Sequence, residues 1–174
     1  PRTRNDARRR YQTMKRSGFT LVELMISLAV LAILAALAVP LAGDSDALRL
    51  NAAERLLTSD LEHTQILAIT HPEDAYCLVI HDDGSGWHIA HMDDVETPVL
   101  ETISEDPLTV TIGEGRGRPA SGVLLSTNAN DNIIAFDPNG GLTDFTAETS
   151  ITLTIGESEG MLSVAASTGT ISYE

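Results

Sequence analysis

One carboxylate stands at the start of an otherwise uncharged stretch of the sequence. Glu23 precedes the segment Leu24–Leu41, LMISLAVLAILAALAVPL, whose 18 residues include no charged side chain. A charge in an apolar environment is costly unless an opposite charge pairs with it. Glu23 therefore needs a cationic partner, unless it lies at an interface and extends its carboxylate into water.

Five histidines and the single cysteine are the other side chains with metal or nucleophilic chemistry. The histidines are His63, His71, His81, His88 and His91. They form neither an H-x-H nor an H-E-x-x-H pattern, and His88 and His91 point to opposite faces of a strand. The sequence therefore predicts no metal site. Cys77 lies in an apolar run, which favours a buried, inert thiol over a nucleophile paired with a histidine.

Oxygen ligands for calcium are also present. They are Asp131, Asp137, Asn139 and Asp144. The segment DPNGGL, which begins at Asp137, departs from the EF-hand pattern at its fifth position. We interpret these residues as turn formers and leave calcium open. The sequence predicts no cofactor, and a G-x-S-x-G elbow is absent from it.

Charge divides the sequence at residue 18. Residues 1–18 hold seven basic residues and one acid, whereas the remaining 156 residues hold four arginines and 24 acids. Beyond residue 18, the only basic patch is Arg116 and Arg118, which we expect in a solvated loop or in an ion pair with a neighbouring subunit. An excess of acid repels phosphate, so the composition disfavours a nucleic-acid partner.

The apolar run lies at this change of charge. Together with residues 19–23 it is long enough to cross a bilayer core of about 30 Å as a helix. The positive-inside rule then leaves the N-terminus in the cytoplasm and sends the acidic part across the membrane. A cleaved secretory signal peptide is the alternative, because small-x-small sites lie between Ala36 and Ala42.

The boundary itself reads GFTLVE, from Gly18 to Glu23. This segment resembles the type IV prepilin signal, whose peptidase cuts after the glycine on the cytoplasmic side. The resemblance implies cleavage between Gly18 and Phe19, N-methylation of Phe19 and retention of the apolar segment. It also implies that Met14 is the native start, with leader MKRSG, and that residues 1–13 are not native.

Each position of the motif has a physical reason. Gly18 lets the peptidase approach the backbone without a side chain in the way. Lys15 and Arg16 hold the leader in the cytoplasm. In the family, the glutamate matched by Glu23 pairs with the N-terminal amine of a neighbouring subunit, which implies an assembly role. Pro40 falls where these helices often carry a proline, and it is predicted to kink the helix.

After Pro40, apolar residues recur at helical spacing and predict an amphipathic helix half over residues 42–71. The apolar stripe is Leu50, Ala53, Leu57, Leu61 and Ala68, while Arg49, Glu54, Asp60 and Glu62 fall mainly off it. Pro72 ends the segment near Thr70. Joined to a transmembrane half over residues 19–41, this helix would be about 78 Å long.

Residues 72–174 predict short strands separated by glycine- and acid-rich turns. The strands are Tyr76–His81, Trp87–Met92, Thr97–Ser104, Leu108–Ile112, Gly122–Ser126, Ile133–Asp137, Ser150–Ile155, Met161–Ala166 and Thr170–Tyr173. The predicted fold class is α+β, a long N-terminal helix packed on an antiparallel β-sheet domain. Aromatic residues make up only 4% of the chain, so its core must be aliphatic.

The order of these elements resembles the GspH/FimT family, which includes the H-type minor pseudopilins of type II secretion. The segments AAERLLTSDLEHTQILAI, IIAFDPNGGLTD and LSVAASTGTISYE carry that layout. The resemblance implies a structural protein rather than an enzyme, with residues 1–18 as leader and 72–174 as periplasmic domain. The implied partners are prepilin peptidase, other pseudopilins, the inner-membrane assembly platform and inner-membrane lipid.

Two other functions fit parts of the sequence. A FimT-like minor type IV pilin would serve pilus assembly or DNA uptake from the same inner-membrane, single-pass topology. A membrane-anchored hydrolase or ligand-binding domain would need a concave polar site, which the sequence does not reveal. Neighbouring genes for a secretin and general secretion components would indicate type II secretion, whereas genes for pilus retraction would indicate a type IV pilus.

Overall fold

The computed structural model describes residues 19–38, 45–144 and 148–173, with side chains up to residue 35 in the first range. The chain divides after Gly43 into two compact units. The described helix of the first unit is α1, Leu21–Ala38. Gly18 and Pro40 lie outside the described residues, as does any junction between the two predicted helix halves. Over the residues that the structure describes, no helix reaches the combined length and hydropathy of a membrane span.

The second unit begins with helix α2, Ser45–Thr70. Its leucine, alanine and glutamate content favours a helix. The predicted apolar stripe is confirmed, because all five of its residues are buried. Asp60 and Thr64 are buried beside them, so the placement of Asp60 off the stripe is wrong. The helix ends two residues before Pro72, and the Thr70 hydroxyl donates to the Ile66 carbonyl at 2.7 Å.

Two antiparallel sheets follow the helix. The strands of the first sheet run in the order β3-β2-β1-β6, and β4 also pairs with β2. The second sheet has the order β5-β7-β8-β9. The strands are β1 Tyr76–Ile80, β2 Gly86–His91, β3 Asp94–Pro98, β4 Thr109–Thr111, β5 Leu124–Thr127, β6 Ile133–Ala135, β7 Thr149–Ile155, β8 Ser158–Val164 and β9 Ile171–Tyr173.

The predicted α+β class is confirmed, and eight of the predicted strands coincide with observed strands to within a few residues. The expected strand Thr97–Ser104 is misplaced. Strand β3 ends at Pro98, and the chain then turns back through a backbone hydrogen bond from Glu105 to the Glu101 carbonyl. Glu105 has a φ of 59°, a left-handed conformation that ends an extended run.

Helix α2 and both sheets enclose one largely aliphatic core, as the low aromatic content predicts. Side chains of α2 pack with those of β1, β7 and β8 and of a 3₁₀ helix, Gly115–Ala120. Trp87 and Phe136 are the largest fully buried side chains. A second, small cluster of Cys77, Ala90 and Ala135 lies apart from this core.

A buried carboxylate joins three of these elements. Asp60 on α2 is only 6% exposed. Its Oδ2 accepts a hydrogen bond from Trp87 Nε1 on β2 at 2.9 Å. Its Oδ1 accepts one from an Arg116 Nη atom of the 3₁₀ helix at 2.7 Å. Gly117 allows this 3₁₀ helix to pack closely against the backbone of Thr111, because a Cβ at that position would overlap the Thr111 carbonyl oxygen.

We expect Asp60→Ala to lower the free energy of unfolding by about 3 kcal/mol. The substitution leaves the buried Trp87 N–H unpaired and removes a hydrogen-bonded ion pair. Urea unfolding of the detergent-solubilised full chain, followed by Trp87 fluorescence, measures the change. Glu62→Ala on the exposed face of α2 is the matched control, with an expected change below about 0.5 kcal/mol. Equal losses for the two variants would contradict this account of Asp60.

Candidate functional site

The start of helix α1 is set by residues of the GFTLVE segment. Thr20 Oγ1 accepts a hydrogen bond from the backbone N–H of Glu23 at 3.2 Å, and the Thr20 carbonyl accepts one from Leu24 at 3.1 Å. A threonine followed three residues later by glutamate is the spacing of a capping box. The helix therefore begins at Leu21, and Phe19 lies outside it. The sequence analysis missed this cap, although the T-x-x-E spacing was the available signal.

Glu23 lies in the first turn of α1. Its carbonyl accepts a hydrogen bond from the Ser27 hydroxyl at 2.7 Å, so its backbone is satisfied within the helix. Within the described part of the chain, its carboxylate has no ion-pair partner. The positive end of the helix dipole favours an acid at this position.

Over residues 21–35, α1 exposes apolar side chains around its whole circumference. Phe19, just before the helix, is 80% exposed. The large exposed side chains of α1 are Leu21, Val22, Leu24, Met25, Ile26, Leu28, Val30, Leu31, Ile33 and Leu34. A helix that is hydrophobic all round is normally buried in a lipid bilayer or against other protein. This surface, together with Glu23, is the candidate anchoring and assembly site.

Four of the five histidines form two groups in the globular unit, and His63 lies on α2 outside both groups. His81 Nε2 and His88 Nδ1 lie 3.3 Å apart, and His88 Nε2 lies 2.8 Å from the Val95 carbonyl. The rings of His71 and His91 pack against that of Tyr76, with centroids 6.0 and 4.5 Å from it. Over the described residues, no group of three or more His, Cys, Asp or Glu side chains is arranged to hold a metal ion.

Cys77 is fully buried in the small cluster on the first sheet. Burial raises the pKa of the Cys77 thiol to about 11. Its Sγ donates weakly to the Ala90 carbonyl at 3.6 Å. Because the nucleophile is the thiolate, this thiol is inert at neutral pH, as the sequence predicts.

We expect Cys77 to resist alkylation in the native chain. With a pKa of about 11, only about one thiol in a thousand is ionised at pH 8. Iodoacetamide at pH 8 should therefore label native protein roughly 200-fold more slowly than protein in 6 M guanidinium, where the pKa returns to about 8.5. Intact mass measures the modification. Fast, complete labelling of natively folded chain would contradict the burial of Cys77.

The calcium candidates do not converge. Asp137 Oδ1 accepts hydrogen bonds from the backbone N–H of Asn139 at 2.8 Å and of Gly141 at 3.0 Å. Asp137 and Asn139 therefore belong to one turn, which agrees with their interpretation as turn formers. Asp131 and Asp144 border a separate open cleft of about 480 Å3.

The two arginines of GRGRP have different environments. Arg116 forms the ion pair with Asp60 of its own chain. The expectation that Arg116 lies in a solvated loop or pairs with a neighbouring subunit is therefore wrong. Its guanidinium reaches a carboxylate far away in the sequence because the 3₁₀ helix packs on α2. Arg118 is exposed.

Comparisons with known proteins agree with this geometry. Residues 13–39 match the family model described as the prokaryotic N-terminal methylation motif. The minor pilin FimU of Pseudomonas aeruginosa superposes with a TM-score of 0.50 and 19% identity, covering 72% of this chain and 87% of FimU. The minor pseudopilin EpsH of the Vibrio cholerae type 2 secretion system gives 0.51 and 9%, covering 72% and 96%. A comparison with curated proteins found no match.

The matches support one coarse conclusion. The methylation motif covers the N-terminal segment, and the globular unit has the helix-on-antiparallel-sheet fold of FimU and EpsH. The chain therefore combines this methylation motif with a pilin-like fold, as the resemblance implied. At these identities, the solved structures inform the fold alone.

Proposed function

We propose that this protein is a structural minor pseudopilin of a type II secretion system. The observation that carries the proposal is the methylation motif at residues 13–39, placed directly before a pilin-like domain. The protein would be processed by prepilin peptidase and assembled with other pseudopilins into a periplasmic pseudopilus. It acts as a building block and as the substrate of another enzyme, and it has no catalytic role of its own.

The proposed topology places a single membrane-spanning segment over residues 19–41 in the inner membrane. The N-terminus is cytoplasmic before cleavage, and the domain over residues 72–174 is periplasmic. The exposed apolar surface of α1 and the basic residues before residue 18 support this topology. Lipid and the inner-membrane assembly platform are the partners of the segment before assembly.

In this proposal, cleavage separates Gly18 from Phe19 and creates the amine that is methylated. The N-terminal cap on Thr20 supports it, because residues 19 and 20 precede the helix and the first residues after the scissile bond therefore lie outside it. After cleavage, the carboxylate of Glu23 pairs with the N-terminal amine of a neighbouring subunit. Pro40 then serves as the kink in the anchoring helix.

We expect Gly18→Ala to block processing. A Cβ at this position hinders the approach of the peptidase to the scissile bond. In cells that co-express a prepilin peptidase, the cleavage rate should fall by roughly tenfold or more, which corresponds to about 1.4 kcal/mol of barrier. Gel mobility and intact mass report the leader and the added methyl group. Ser17→Ala is the control, and efficient cleavage of Gly18→Ala would refute the processing step.

We expect Glu23→Gln to be cleaved normally but to assemble poorly. Glutamine keeps the size of the side chain and loses its charge, so the neighbouring amine stays unpaired in an apolar environment. The fraction of subunits recovered in sheared filaments or in complexes with other pseudopilins should fall roughly a hundredfold, since the broken ion pair costs about 3 kcal/mol. Glu23→Asp serves as the charge-retaining control. Wild-type recovery of Glu23→Gln would exclude the pairing.

A minor type IV pilin is the second candidate, because the fold is as similar to that of the minor pilin FimU as to that of EpsH. Deletion of the gene distinguishes the two systems, because loss of protein secretion or loss of pilus-dependent motility would result. A role in DNA uptake is disfavoured by charge. Arg116 is already paired with Asp60, and the residues after residue 18 hold 24 acids. We therefore expect nucleic acid not to be a partner.

A further inference from the structure

The pair His81 and His88 lies at the end of the β1–β2 hairpin. Val79 is the register partner of His88, so His81 is its diagonal neighbour on the same face of the sheet. The hairpin turn fixes this geometry through two backbone hydrogen bonds. His81 N–H donates to the Gly86 carbonyl at 2.9 Å, and Gly84 N–H donates to the His81 carbonyl at 2.8 Å.

The spacing of the two ring nitrogens suits a tetrahedral metal ion. His81 Nε2 and His88 Nδ1 are 3.3 Å apart. Two nitrogens that each lie about 2.05 Å from Zn2+ at the tetrahedral angle are about 3.35 Å apart. A metal ion would therefore replace the proton shared by the two nitrogens without requiring them to move apart, while the rings tilt toward it.

His88 is organised as a ligand before any metal arrives. Its side chain is buried, and its Nε2–H donates to the Val95 carbonyl at 2.8 Å. That hydrogen bond fixes the tautomer and leaves the Nδ1 lone pair directed toward His81. Metal-binding histidines in proteins typically donate their second ring nitrogen in this way.

His81 provides access from solvent. It is half-buried beside the exposed turn residues Asp82 and Asp83. Asp82 and Asp83 bias the local potential toward a cation. Asp83 Oδ1 already accepts from Ser85 N–H at 2.9 Å, so it serves as a charge rather than as a ligand.

We propose that His81 Nε2 and His88 Nδ1 together bind one divalent transition-metal ion of the Zn2+ type, with water completing its coordination. The inference rests on the globular unit and is independent of processing and assembly. Imidazole ligands select Zn2+, Cu2+ and Ni2+ over Mg2+ and Ca2+. The described residues provide no third His, Cys, Asp or Glu ligand, so the site is open to exchange with solvent.

The test is calorimetric titration of ZnCl2 into the full chain in detergent, purified without a histidine tag. Wild type should bind one Zn2+ per chain, and MgCl2 should give no heat of binding. His81→Ala should weaken Zn2+ binding by at least roughly tenfold. His88→Gln should do the same while its amide replaces the donor to the Val95 carbonyl and preserves the fold. His71→Ala, outside the pair, is the control and should retain wild-type affinity.

Electron paramagnetic resonance of Cu2+ bound to the chain gives a second readout. Two equivalent nitrogen couplings should appear in wild type and one or none in His81→Ala. Zn2+ binding that survives His81→Ala unchanged would overturn the assignment, as would its loss in His71→Ala alone. Absence of Zn2+ binding to folded wild-type chain at millimolar metal would overturn it as well.

Discussion

The fold of the globular unit depends on the burial of one carboxylate. Asp60 lies within the apolar stripe of α2, where an unpaired charge would be strongly destabilising. Trp87 and Arg116 satisfy its two oxygens from two different elements. The position of α2 against β2 and against the 3₁₀ helix is consequently tied to the geometry of two hydrogen bonds. Apolar contacts alone tolerate sliding far better than directed bonds to a buried charge.

Several other contacts hold the helix against the second sheet and against neighbouring loops. Gln65 Nε2 donates to the carbonyls of Gly140 and Thr168, which belong to two separate turns. The hydroxyl of Tyr173 on β9 donates to Thr58 at 3.0 Å. These bonds lie in the C-terminal half of α2, at Thr58 and Gln65. Helix α2 therefore links the two sheets, because Asp60 bonds to the first sheet and Thr58 bonds to the second.

The sequence predicts the periodic features of this fold well and its non-local pairs poorly. The stripe from Leu50 to Ala68 and most strands follow from spacing, because burial of one face is a local pattern. Asp60 was misplaced because its partners are 27 and 56 residues away in the sequence. The pair His81 and His88 has no short motif, since it arises only when the hairpin register brings the two residues onto one face. The left-handed residue Glu105, which turns the chain after β3, is likewise invisible to periodicity.

Helix α1 differs from α2 in which of its polar and apolar groups have partners among the described residues. Its first turn is complete within the chain, because Thr20 and Ser27 meet the backbone groups of Glu23. What the described residues leave uncompensated is the Glu23 carboxylate and a continuous apolar surface. In the proposed function, lipid and then neighbouring apolar helices cover this surface, and the N-terminal amine of a neighbouring subunit pairs with the carboxylate. The first turn of the helix can thus form without a partner, because its backbone groups are already paired. A segment with these two properties is suited to transfer between a membrane and a filament, because neither step requires it to unfold.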